Sequence, residues 1–164
     1  MYSKFKAVAA ILLMAAVVLL SPATPAAAAA PAAVFVWNGA SGDCLDQHYN
    51  GNQPTTTASA WYECHYFGNQ QWTFVTVDTN AYWLVNARSG WCLSAPNGAG
   101  SQVYAEVCSR PIPNKQIWVP SSAPDGGHIM INRLSGQCLV EAPDYKVFVA
   151  KCDSKAGVQR WYWG

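Results

Sequence analysis

The sequence predicts an all-β domain closed about a threefold axis, on three observations. One pattern is written three times: an apolar residue, Asn-x-x-Ser-Gly-x-Cys-Leu, a second Cys, then Gln-x-Trp. Strand candidates are short and rich in aromatic and β-branched residues, and no window past the leader shows a helical 3.6-residue period. Six cysteines fall two to a repeat.

The first copy runs Trp37-Asn38, Ser41-Gly42-Asp43-Cys44-Leu45, Cys64 and Gln70-Gln71-Trp72. The second runs Val85-Asn86, Ser89-Gly90-Trp91-Cys92-Leu93, Cys108 and Gln116-Ile117-Trp118. The third runs Ile131-Asn132, Ser135-Gly136-Gln137-Cys138-Leu139, Cys152 and Gln159-Arg160-Trp161. The leading cysteines lie 48 and 46 residues apart, the tryptophans 46 and 43. A period of this length marks a repeat architecture in which one unit cannot bury its apolar face alone. Three copies point to a closed body rather than an open solenoid.

From the N-terminus, Lys4 and Lys6 precede an apolar run from Ala7 to Leu20, and Ala27-Ala28-Ala29 offers a small-residue cleavage site. This is the pattern of a secretory signal peptide over residues 1–29. The 14-residue apolar run falls short of the ~20 needed to cross a bilayer. No second run follows, so a secreted, extracellular product without a membrane span is expected. Residues 30–33 read as an Ala/Pro lead-in, and 34–164 as one domain with repeats at about 34–79, 80–125 and 126–164.

Within the domain, strands are expected at 34–37, 71–77, 83–85, 129–131 and 147–149, with turns at 50–52, 96–98 and 124–127. Gly42, Gly90 and Gly136 suit a turn that needs a permissive backbone. Leu45, Leu93 and Leu139 should enter a common core, and Trp72, Trp118 and Trp161 should floor a barrel. The Gln two before each Trp should satisfy backbone groups of a nearby turn.

Without the leader, eight Lys and Arg stand against nine Asp and Glu, a net charge near −1. No basic face is available for a phosphate backbone, so nucleic acid is not an expected partner. Six cysteines allow 15 pairings, but the repeat selects Cys44–Cys64, Cys92–Cys108 and Cys138–Cys152. These close loops of 20, 16 and 14 residues, worth roughly 3 kcal/mol each in the chain-entropy model. No Cys-x-x-Cys or His pair completes a four-ligand zinc set, so neither metal nor cofactor is expected.

Three Gly-x-Cys-Leu…Cys…Gln-x-Trp units over residues 34–163 resemble the ricin B-chain type lectin domain, also found as a carbohydrate-binding module of bacterial glycoside hydrolases. The resemblance implies a β-trefoil of twelve strands with pseudo-threefold symmetry, an in-repeat bridge like that above, and binding of galactose- or xylose-type glycans. It also implies a sugar site per repeat: an Asp after Cys-Leu, an aromatic two before the second Cys, and an Asn before the Gln. The chemistry suits a pyranose, whose adjacent hydroxyls a carboxylate can accept in pairs and whose C–H face stacks on a ring.

Only the first repeat carries the full set, Asp46, Tyr62 and Asn69 followed by Gln70. The second has Ser94, Glu106 and Lys115 there, and the third Val140, Ala150 and Val158. One departure is Ala60, where family members often carry a hydrogen-bonding Gln. Residues 47–52 could add contacts, and Trp83 or Trp163 could widen a sugar platform. His48 and His65 are read as solvated or supporting residues. Glu63, Glu106 and Glu141 form no recurring acid pair, and no nucleophile, metal or phosphate motif is present, so catalysis is not expected. The reading is therefore a monomeric, non-catalytic glycan-binding protein with one site. Its rival is a trefoil with a decayed sugar site that binds protein, as a hydrolase inhibitor or toxin component does.

Overall fold

The computed structural model describes residues 31–164; the expected signal peptide lies outside the described residues. Twelve strands follow one another with three single 3-10 turns between them. The first repeat supplies β1 (Ala33–Asn38), β2 (Cys44–Asn50), β3 (Gln53–Trp61) and β4 (Gln71–Asp78). The second supplies β5 (Ala81–Asn86), β6 (Trp91–Ser94), β7 (Tyr104–Val107) and β8 (Trp118–Ser122). The third supplies β9 (His128–Asn132), β10 (Cys138–Glu141), β11 (Val147–Ala150) and β12 (Trp161–Trp163). β1 opens at Ala33, inside the expected lead-in, where it pairs with Thr73.

The pairings close a barrel. β1 pairs with β4, β4 with β5, β5 with β8, β8 with β9, β9 with β12, and β12 returns to β1. Closure removes the sheet edges that an open all-β repeat would expose. The remaining strands form three hairpins, β2–β3, β6–β7 and β10–β11. Each first strand meets its repeat's tryptophan in equivalent register: Val34 opposite Trp72, Tyr82 opposite Trp118, His128 opposite Trp161. This is the β-trefoil.

The repeated residues hold the repeats together. Trp72, Trp118 and Trp161 are fully buried, and each indole Nε1 donates to the carbonyl of Leu45, Leu93 or Leu139 at 2.9–3.0 Å. Buried rings thus gain apolar contact without leaving a polar atom unpaired. Asn38, Asn86 and Asn132 donate through Nδ2 to the carbonyls of Val158, Asn69 and Lys115 at 2.8–2.9 Å. Each bond ties one repeat to the residue before Gln-x-Trp in the repeat preceding it. The turn after each Asn closes when Gly42, Gly90 or Gly136 donates back to the Asn carbonyl. Those glycines sit at φ of 66–81°, where a Cβ would be strained. Three in-repeat disulfides, Cys44–Cys64, Cys92–Cys108 and Cys138–Cys152, complete the frame, and no cysteine is free.

Candidate functional site

The β2–β3 hairpin builds a cleft in the first repeat. β2 pairs with β3 from Cys44 opposite Trp61 to Asn50 opposite Gln53. Alternation puts Asp46 and His48 on one face and turns Gln47 inward. Gln47 is fully buried, and its Oε1 accepts from Ser89 Oγ at 2.6 Å. A bulge between Gln47 and Tyr49 then interrupts the alternation, so His48 and Tyr49 both reach the same cleft. The cleft holds about 310 Å³ and is lined by Asp46, His48, Tyr49, Trp61, His65 and Asn69.

Asp46 lies at its base, 5% exposed. Asn69 Nδ2 donates to Asp46 Oδ2 at 2.7 Å, and the backbone of Asn69 is held by the bond from Asn86. Burial pushes the Asp46 carboxyl up to about 6, against hydrogen bonds from Gln70 and Asn69 that favour its ionised form. Gln70 is buried beneath the cleft. Its Oε1 accepts from the His65 N–H at 2.7 Å, and its Nε2 donates to the Glu63 carbonyl at 2.9 Å. Gln116 and Gln159 hold the corresponding backbone of their own repeats. Gln70 thus supports the floor of the cleft rather than lining it.

Tyr62 lies outside the lining, 61% exposed, with its ring 5.6 Å from that of Trp61. The rings that face the cleft are those of Trp61 and Tyr49, residues that the repeat comparison does not flag. Tyr49 carries the Arg88 guanidinium 3.9 Å over its ring. His48 Nε2 shares a 2.6 Å hydrogen bond with Ser59 Oγ, and burial lowers its pKa. His65 also lines the cleft, and its buried Nδ1 has no hydrogen-bond partner among the described residues. A carboxylate acceptor, an amide, an imidazole nitrogen and aromatic faces therefore converge on one small space.

The other repeats fill the same positions differently. In the second, Lys115 Nζ lies 2.8 Å from Glu106 Oε1, so an ion pair occupies the space, and Ser94 is buried. In the third, Val140 is buried and Val158 lines an apolar cleft of about 210 Å³ with Glu141 and Pro143. A larger cavity of about 610 Å³ shares no residue with the first-repeat cleft. Its walls include Phe74, Pro120 and Trp163, each two residues after a core tryptophan, so it sits on the pseudo-threefold axis. The suggestion that Trp83 widens a sugar platform is corrected here. Trp83 is 6% exposed and packs inward under the Arg110 guanidinium. Trp163 is half-buried between Phe74 and His128.

Barrel, hairpins and a carboxylate–amide cleft in one lobe define a β-trefoil domain of the lectin type. The ricin-type beta-trefoil lectin domain matches residues 32–161, and the chain belongs to that family of carbohydrate-binding domains. A designed three-fold symmetric protein, ThreeFoil, superposes with a TM-score of 0.70 at 23% identity, covering 80% of this chain and 96% of that one. The structure of SeviL bound to asialo-GM1 saccharide aligns at 0.63 and 15% identity, over 80% and 95% of the two chains. An exo-β-1,3-galactanase from Clostridium thermocellum aligns at 0.68 and 20% identity, over 80% of this chain but 29% of its own. Such likenesses establish the shared fold. No curated protein matches the chain in sequence.

Proposed function

We propose that the chain is a secreted, monomeric lectin that binds one galactose- or xylose-type residue of a glycan in the first-repeat cleft. The observation that carries the reading is the 2.7 Å Asn69–Asp46 bond at the base of a cleft bordered by the Trp61 ring. Asn69 and Gln70 each take one acceptor position of the carboxylate and leave the remaining two for sugar hydroxyls. Trp61, with Tyr62 beyond it, offers a face for the sugar's C–H side. Gln70 hydrogen-bonds Asp46 and holds the Glu63 and His65 backbone that borders the cleft. Secretion is supported by the leader pattern and by three disulfides, which persist in oxidising compartments.

Calorimetric titration with galactose and xylose tests it. Binding should saturate at one sugar per chain, with a Kd on the order of millimolar, about −4 kcal/mol. Two or three equivalents of similar affinity would overturn the single-site assignment. A protein-binding rival predicts that glycans do not bind and that partner affinity is indifferent to Asp46.

A further inference from the structure

Beyond the cleft, the segment that carries it to Gln-x-Trp is unusual. Trp61, Tyr62, Tyr66 and Phe67 are 41%, 61%, 89% and 69% exposed, four large apolar side chains within seven residues. Each ring left in water forgoes about 25 cal/mol per Å² that burial would return. Clustered exposure of this kind marks a binding surface.

The segment is nonetheless fixed. Cys64 pins its centre to Cys44 on β2, and Gln70 holds the backbone at Glu63 and His65. Tyr66 packs edge-on against Phe35 at 5.6 Å. The rings also lead out of the cleft on two sides. Trp61 lines it and neighbours Tyr62, while His65 lines it and packs 4.9 Å from Phe67. Glu63 is the one carboxylate among residues 61–67, and no Lys or Arg accompanies it.

The equivalent segments supply the control. Residues 105–113 and 149–157 contain no aromatic side chain, and their repeats lack the Asp and Asn of the cleft. Rings and cleft residues therefore occur together in one repeat and are absent together from two.

We infer that residues 61–67 form a rigid aromatic platform that extends the cleft, so the domain grips several consecutive residues of a neutral polysaccharide rather than one terminal sugar. This inference rests on the cleft reading above. The cleft orients one residue through hydroxyl bonds. Tyr66 and Phe67 add sequence-tolerant stacking for its neighbours, and their rigidity lowers the ordering cost of binding.

The test is titration of the secreted chain with xylose, xylotriose and xylohexaose, and in parallel with galactose and galactotriose. At least one series should bind at least tenfold more tightly at its longest member than at its monosaccharide. The double variant Tyr66→Ser/Phe67→Ser, altering exposed side chains only, should lose that gain and keep monosaccharide affinity. Asp46→Asn should lose both. Equal affinity at all lengths, or a gain that survives the double variant, overturns the platform and leaves the cleft standing. A length gain that survives Asp46→Asn overturns the cleft and leaves the platform. Failure of every sugar to bind overturns both.

Discussion

The first and third repeats share a scaffold and differ in what they do with one cleft. In both, the tryptophan indole caps a leucine carbonyl, the glutamine holds its loop, and an asparagine from the next lobe secures the residue before Gln-x-Trp. Yet Asp46, Asn69 and Trp61 surround a polar space in one, while Val140, Val158 and Pro143 occupy the counterpart region in the other. The indole, asparagine and disulfide bonds that make the fold use none of the side chains that line the cleft, and from Asn69 they take only the backbone carbonyl. On the proposed reading, a repeat can therefore do without a sugar site and keep its shape.

The strongest challenge to that separation is to the scaffold itself. Trp72→Ala, Trp118→Ala and Trp161→Ala should each cost about 3–5 kcal/mol, the range for removing a large buried ring. Urea denaturation would measure it. The losses should agree within about 1 kcal/mol if the repeats are equivalent in the core. A near-neutral Trp161→Ala beside a crippling Trp72→Ala would show that the first lobe carries the stability as well.

Next in size is the site. Asp46→Asn removes a charge-assisted acceptor worth roughly 1.5–3 kcal/mol from a complex of about −4 kcal/mol, so binding should become undetectable. Its Tm should stay within a few degrees, because Asn keeps the size and burial already penalises the carboxylate. Ser94→Ala, at the matching position, should leave binding unchanged. Wild-type affinity in Asp46→Asn would locate the function elsewhere.

A milder perturbation sharpens the same point. With its pKa near 6, Asp46 is mostly ionised at pH 8 and about nine-tenths protonated at pH 5. Sugar affinity should fall about tenfold between those values, with the midpoint near 6. A profile flat to pH 4.5 would show that the carboxylate is not the acceptor.

Repetition explains what the sequence discloses. Cysteines, glycines and Gln-x-Trp are legible because three copies repeat each residue at one register, and the pairing of Asp46 with Asn69 stands out against their substituted counterparts. Trp61 is missed because counting back from the second Cys lands on Tyr62, whereas the strand register sets Trp61 opposite Cys44 just as Glu106 lies opposite Cys92 and Ala150 opposite Cys138. His48, Tyr49 and His65 are named in the sequence but not placed by it, since the repeated pattern does not include them. Tyr49 is further hidden by the bulge, which breaks the two-residue alternation that would place it. The turn signal Asn50-Gly51-Asn52 masks the strand before it, for β2 runs from Cys44 to Asn50. β6 and β10 are hidden within the Cys-Leu motif, whereas β11, also four residues long, declares itself as the run Val147-Phe148-Val149.

The smallest effect lies in the seam between first and last repeats. Glu141 occupies the position of Gln47, and Ser41 Oγ donates to its Oε2 at 2.8 Å as Ser89 does to Gln47. But Glu141 also faces Asp43, and both are buried. Burial, with the neighbouring Asp43 adding to it, pushes Glu141 up to about 7 against the favourable Ser41 bond. A carboxyl whose folded pKa is raised holds its proton more tightly in the folded chain. Its penalty is thus absent below about 4.5, grows as pH rises, and is complete above about 7. Glu141→Gln copies the first repeat, keeps the acceptor for Ser41 and removes the charge. It should stabilise the protein by on the order of 1 kcal/mol at pH 8, a few degrees in Tm, and by nothing at pH 4. Thermal melts of both proteins across that range decide it. A gain equal at the two pH values would mean that shape, not charge, separates the two lobes at this seam.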